Sequence, residues 1–492
     1  MNIRFFLLTL CAAFLVSSAS ASSANLQLAR PTQEWFTRGV MYQVQPRAFT
    51  PEGTLKAAEA KLAYLRDLGV TIVYLVPVFK MDEDMDKSFW SPRQVRSGFN
   101  NPKNQYRIAD YYHVDSEYGS DDDLKSFCES AHRLGMKALF DLVYFHAGPT
   151  AKVWKMNPSF TRWNPDGTIA KGQWRFPRFR FEVPGVREYL WNNMVYLITE
   201  YGADGYRCDV GDAIPLDFWC EGRRRMDLVK PSTVLLCEGY DEKDQECAFD
   251  ADYGWFPGVF VYERGESASV IRKSWEHREL MSTQGARFVN HYENHDIATD
   301  LRPRRELKWG HDAIDQVLVW MFTMDGVPML FTGNEIADAD EKHSMFGKTP
   351  MDWSQLERGV GKARHRFVRD LAALRSSHAA FTDMNGKRGL VWLDVSAPDQ
   401  VTAFVRRAND GSQIVVVQNW TDKEVSFDLS LEVPPENIPD YLSYASVDRS
   451  VKGALHSVPL ISRRAEKKGP SAFTLGAYGF AVYPVESKGG NR

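Results

Sequence analysis

Short apolar runs alternate with amphipathic stretches along most of this chain. VMYQVQ (40–45) is followed by LKAAEAKLAYLRDLG, where apolar positions recur at helical spacing, and then by the apolar run TIVYLVPVF. The alternation continues through DLKSFCESAHRLG, KALFDLVYFH, VREYLWNNMVYLITEYG, DGYRCDV, PLDFWCEGRRRMDLV and TVLLCEG. After a less regular sixth unit it resumes with ARFVNHYENHD, HDAIDQVLVWMFTMDG, VPMLFTG and ARHRFVRDLAALRSS, so eight strand-helix units can be counted. Strands that read as nearly continuous apolar runs belong to a parallel sheet covered by helices. Eight such units close into a (β/α)8 barrel, and the expected class is α/β, a TIM barrel over residues 30–385.

Two stretches break the rhythm. Residues 147–184 carry Asn-Pro and Asp-Gly turn signals with Trp154, Trp163 and Trp174, which predicts a short inserted excursion between the third strand and the third helix. From about Gly389 the pattern becomes β only, with LVWLDV, VTAFVRR, QIVVVQNW and VSFDLSL, which predicts a C-terminal antiparallel β-sandwich over residues 386–490. At the other end Arg4, an apolar run from Phe5 to Val16 and the small residues Ala19-Ser20-Ala21 read as a signal peptide over residues 1–21. The run is too short to span a bilayer, and Leu10 stands where a lipid-attachment signal before Cys11 needs a small residue. A secreted or periplasmic protein is expected.

Composition narrows the partners. A formal charge of -4 with 25% charged residues gives no general attraction to nucleic acid or to an anionic membrane. The aromatic share of 13% supplies core, and also flat rings of the kind that stack on sugars. Loss of Cys11 with the signal leaves Cys128, Cys208, Cys220, Cys237 and Cys247, an odd set with at least one free thiol and no zinc spacing. Cys208 and Cys237 each precede an acid inside an apolar run and read as buried small hydrophobes.

Barrel enzymes place their chemistry where strands end, and there this chain places Asp141 and His146 (third strand), Arg207 and Asp209 (fourth), Glu238 (fifth), and His295 and Asp296 (seventh). Residues two apart on a strand share a face, so Arg207 and Asp209 point the same way. A guanidinium beside Asp209 is expected to lower its pKa and suit it to be a nucleophile. Glu238, after the apolar Val234-Leu235-Leu236-Cys237, is expected to be raised by desolvation and to act as general acid. Such an acid and nucleophile pair is that of a retaining glycosidase.

The chain resembles the α-amylase family, glycoside hydrolase family 13, on DYYHVDSEYGSDDDLKSFCESAHRLGMKALFDLVYFH, GYRCDV, LLCEG and YENHD, in that family's order and spacing. The resemblance implies Asp209 as nucleophile, Glu238 as general acid/base and Asp296 as the third acid, which stabilises the distorted sugar. It also implies that Arg207, His146 and His295, with Asp141, line the subsite of the reacting glucose above a stacking Tyr106. The implied activity is hydrolysis of α-glucans or maltooligosaccharides, by a monomer. A transglycosylase on the same machinery and a carbohydrate-binding protein without turnover are the rivals, the second disfavoured because all three acids are present.

Two departures stand out. Phe145 takes the position where the family commonly has an asparagine that binds calcium, so no cofactor is expected at the usual calcium site, with calcium elsewhere left open. Arg107 follows the stacking tyrosine where members acting on short oligosaccharides often have Asp, so an altered grip on the non-reducing-end sugar is expected. The run Asp82 to Asp86 and the group Arg302, Arg304, Arg305 and Lys308 read as solvated loops, with a cation site and an anionic-substrate site as the respective weaker readings.

Overall fold

A computed structural model describes residues 28–383, 389–432 and 450–486. The expected signal peptide, the boundary at 385/386 and the end of the last domain at 490 lie outside the described residues. Eight parallel strands close into a barrel: Met41–Val44, Ile72–Leu75, Lys137–Leu142, Gly205–Cys208, Val234–Cys237, Ala251–Trp255, Phe288–His291 and Val327–Phe331, the last pairing with the first. The irregular sixth unit is therefore a strand, ADYGW, disguised by Asp252 and Gly254.

The two-residue period sorts the strand residues into layers. Met41, Ile72, Tyr74, Leu139, Leu236, Tyr253, Val289 and Met329 pack together inside the barrel, whereas Tyr42, Leu75, Phe140, Tyr206, Cys208 and Cys237 face the helices. Counting two on from the inner residues reaches Gln43, Asp141, Glu238 and His291. The register of the inner layer thus carries a set of polar side chains to the C-terminal mouth.

Helices follow where amphipathic stretches were expected, among them Asp121–Arg133, Pro184–Tyr201, Leu216–Val229, His311–Thr323 and Gly359–Ser377. Ser120 opens the first of these with a capping box closed by Asp123, which satisfies end N–H groups that have no partner within the helix. The stretch at 55–69 is two helices, Leu55–Glu59 and Leu62–Leu68, and not one. Between the second and third barrel strands, Phe79–Met81 and Ile108–Val114 form an antiparallel ribbon. Residues 147–184 form an irregular excursion with one short α-helix, Lys152–Met156, and two 3-10 turns.

Among the described residues the C-terminal strands are antiparallel, and seven join one sheet in which the long strand Ala472–Glu486 pairs with Gln413–Asn419, Val425–Asp428, Ala454–Leu455 and Ile461–Lys467. The last three strands in sequence gave no clean alternation to read. This sheet docks on the barrel through polar groups as well as packing. Buried Arg406 donates to the Thr323 carbonyl at 3.1 Å and pairs with Asp325 at 3.0 Å, and Gln418 donates to the Gln316 carbonyl at 2.9 Å.

Candidate active site

A cavity of about 700 Å³ opens at the C-terminal mouth, and Asp209, Glu238, Asp296, Tyr106 and His146 all line it. Arg207, Asp141 and His295 are buried directly behind them and complete the predicted set. The fully buried guanidinium of Arg207 is the hub. Its Nη1 donates to both oxygens of Asp141 (2.8 and 2.9 Å) and to Asp209 Oδ1 (3.0 Å). Its Nη2 lies 2.6 Å from Glu238 Oε2, an ion-pair contact outside hydrogen-bond alignment.

Local backbone geometry sets the second carboxyl against the first. Val210, immediately after Asp209, adopts the left-handed region (φ 48), which is costly for a β-branched residue and persists only where its surroundings enforce it. In that conformation its N–H donates to Glu238 Oε2 at 2.9 Å, and the next amide, Gly211, donates to the Glu238 carbonyl at 3.0 Å. Gly239 has φ +136, and a Cβ there would lie 2.3 Å from the Asp212 carboxyl carbon, so only glycine fits beside the acid.

Arg207 does not divide the two carboxyls into a low and a high one, contrary to the sequence-based expectation. Burial pushes Asp209 well above the usual carboxylate range; Arg207 opposes this, while Glu238, Asp141 and Asp296 push the same way. Glu238 is raised too, by burial foremost, with Arg207 opposing and Asp296 and Asp141 adding to the rise. One cation shared by three buried carboxyls cannot keep all of them ionised cheaply, so Asp209 and Glu238 titrate as a unit.

Asp296 has a cation of its own, which sequence reasoning missed. Arg93, from the helix Pro92–Arg96 in the excursion after the second strand, binds Asp296 Oδ1 through Nη1 and Asp300 Oδ2 through Nη2, the latter at 2.6 Å. Burial disfavours the Asp296 charge, but Arg93, His295 and Arg207 outweigh it and hold the group below the usual range.

The histidines are neutral. Burial pushes His295 down to about 3 and His146 down to about 4. The His295 backbone N–H donates to Gln43 Oε1 (3.1 Å), which turns the amide nitrogen of Gln43 toward His295 Nδ1 (2.8 Å). Nδ1 therefore accepts and the proton sits on Nε2, 2.6 Å from the Tyr106 hydroxyl, which donates in turn to Asp141 at 2.9 Å. Tyr106 stacks on His295 with ring centroids 5.2 Å apart at 14°. His146 Nε2 donates to the Tyr106 carbonyl at 2.8 Å, leaving Nδ1 as a buried acceptor without a partner among the described residues. Gln43 and Tyr74, whose hydroxyl donates to Asp141 at 2.5 Å, also escaped sequence reasoning. Their one signal was a polar or hydroxylated residue inside an apolar strand.

Three other expectations change. Arg107 is buried away from the cavity, bound to Asp82 at 2.9 Å, so it does not grip a sugar. Asp82 also accepts from Thr150 N (2.7 Å) and Oγ1 (2.9 Å) and is fully buried, so the start of its acidic run is a structural anchor and not a solvated loop. Arg304 and Arg305 are likewise buried, paired with Glu293, Asp338 and Glu263, because the chain after the seventh strand folds inward. Where the family resemblance would put a calcium-binding asparagine, Phe145 is buried and the Arg178 guanidinium stands 4.0 Å over its ring, and neither side chain offers an oxygen to a hard cation. Cys208, Cys237 and Cys128 are buried free thiols, and Cys220 pairs with Cys247.

Residues 32–166 match the family model for the α-amylase catalytic domain. The chain is 23% identical over 456 residues to a maltogenic α-amylase of Bacillus acidopullulyticus, covering 82% of this chain and 73% of that one. It is 26% identical over 467 residues to neopullulanase 2 of Thermoactinomyces vulgaris, covering 82% and 72%. Among solved structures, a maltogenic α-amylase of Thermotoga neapolitana superposes with a TM-score of 0.75 at 23% identity, over 92% of this chain and all of that one.

Proposed function

We propose that the chain is a member of the α-amylase family, on its match to that family's catalytic-domain model over residues 32–166, and a retaining α-glucan hydrolase working through a covalent glycosyl intermediate on Asp209. The observation that carries the reading is Arg207, bound at once to Asp141, Asp209 and Glu238 at the floor of an open cavity.

The geometry supports a division of labour. Asp209 receives only one guanidinium contact and keeps its second oxygen for the anomeric carbon. Glu238 shares the proton of the coupled pair and delivers it to the leaving oxygen. As that proton departs, Asp209 bonds to the anomeric carbon and gives up its charge, so the pair carries one negative charge before and after the step. Asp296, kept ionised by Arg93, faces the same developing charge. His146 and His295, both neutral, and Tyr106 offer hydrogen bonds and a ring face to the sugar without adding charge. In the second half-reaction Glu238 takes the proton of the incoming water.

Chromatography of products from maltooligosaccharides, starch, pullulan, isomaltose and sucrose tests the substrate class, and proton NMR of the first-formed product tests retention. An initial β-anomer would contradict the covalent mechanism. Export through the expected leader is part of the proposal. It is supported by the Cys220–Cys247 disulfide, since such bonds persist in oxidising compartments, although a Bacillus subtilis relative at 23% identity is named as intracellular. N-terminal sequencing of the native protein decides it: a start near Ser22 supports export, and an intact leader contradicts it.

A further inference from the structure

We propose that the Arg93 bridge closes the glycone end of the cleft, so that the enzyme removes single glucosyl units from non-reducing ends, with Arg93 as the specificity-determining residue. The proposal rests on the hydrolase reading given above and adds a direction of attack to it.

The orientation of a bound glucan follows from the acids. Glu238 protonates the leaving oxygen, so the leaving chain lies on its side of Asp209, where Gly239, Tyr240 and the half-exposed Trp255 extend the cavity. On the same reading the reacting ring belongs on the other side, where Tyr106, His146 and Asp296 line the cavity. A longer donor chain would continue from the 4-hydroxyl of that ring away from Glu238, toward the wall where Arg93 stands.

That wall is tied shut. Arg93 comes from the excursion after the second barrel strand, whereas Asp296 and Asp300 lie on the helix His295–Asp300 after the seventh. Two like charges at i and i+4 on one helix repel, and a guanidinium gripping both turns that repulsion into a three-residue clasp. The backbone under Arg93 is itself fixed: Ser91 caps the helix at Gln94 N (3.1 Å), and buried Gln94 donates to the carbonyls of Asn101 (2.9 Å) and Pro102 (3.2 Å). With a nitrogen committed to each carboxylate, Arg93 is a poor receptor for an anionic substituent and serves instead as a barrier. The clasp is about one-third exposed at Arg93 (33%) and Asp296 (32%), so a chain could displace it, at a cost in rate and not as an absolute bar.

The test compares 4-nitrophenyl maltooligosaccharides whose non-reducing end is free or blocked by a 4,6-O-ethylidene group, in the full-length protein. Free substrate should yield glucose as first product, and the blocked one should be slower by about tenfold or more in kcat/KM. Arg93→Ala and Asp300→Ala should each shrink that ratio, and Arg93→Lys should keep most of it. The ratio cancels any general loss of activity, and Asp300→Ala leaves the Asp296 contact in place should Arg93→Ala fold badly. Equal rates on both substrates in the wild type, or a ratio unmoved in both alanine variants, overturns the bridge while leaving the hydrolase intact. No cleavage of the free substrate overturns the hydrolase reading, and the bridge with it.

Discussion

Asp209 sits in an environment that a folded protein would avoid if stability were its only constraint. A carboxyl whose folded pKa lies above its unfolded value stabilises the fold fully below the unfolded pKa, and that contribution is lost as pH rises through the raised folded value. Asp209→Asn, neutral at every pH, should therefore be more stable than wild type at neutral pH, with the gap closing as pH falls toward the ordinary carboxylate range of about 4. The same variant should lose activity by about 10⁴-fold or more. Paired denaturant titrations and rate assays check both, and a variant less stable at neutral pH would contradict the electrostatic account. Glu238→Gln should be nearly inactive on glucans yet still form the intermediate from α-glucosyl fluoride, with azide restoring turnover; no rescue would remove Glu238 from the acid role. At this scale the sequence showed the residues better than their states. The two-residue period placed Arg207 beside Asp209, but nothing in a linear pattern reveals that the same guanidinium also meets Glu238 and Asp141 across neighbouring strands. Arg93 was invisible for the same reason, because its partners lie more than 200 positions away (|i−j| of 203 and 207).

Elements that bury one face and expose the other were readable, and those shaped by tertiary contacts were not. The strand ADYGW shows no alternation because Asp252 is buried against Gln245, whose amide donates to it at 2.7 Å. The stretch at 55–69 has the periodicity of one helix, yet it breaks at Ala60–Lys61. At the end of the third strand Phe145 lies under the Arg178 guanidinium, and we propose that no calcium is held there. Dialysis against a chelator should accordingly leave activity and melting temperature unchanged. A large loss that added calcium restores would contradict this.

On the scale of the whole molecule, the alternation of apolar runs predicted the barrel because eight parallel strands must bury both faces, a demand that writes itself into every unit. The C-terminal sheet was seen only in its first strands, since its long last strand changes neighbours along its length and so has no single pattern. The two parts depend on each other. Arg406 is fully buried between them with Asp325 as its ionic partner, and Arg406→Met should cost about 3 kcal/mol by stranding that partner, measurable as a lowered denaturant midpoint. On the proposed mechanism this scaffolding serves one arrangement, a carboxylate at Asp209 poised to bond to an anomeric carbon. Mass spectrometry after incubation with a fluorinated mechanism-based α-glycoside tests it most directly: the account predicts a single glycosyl adduct on the peptide containing Asp209, and an adduct on another carboxylate would contradict it.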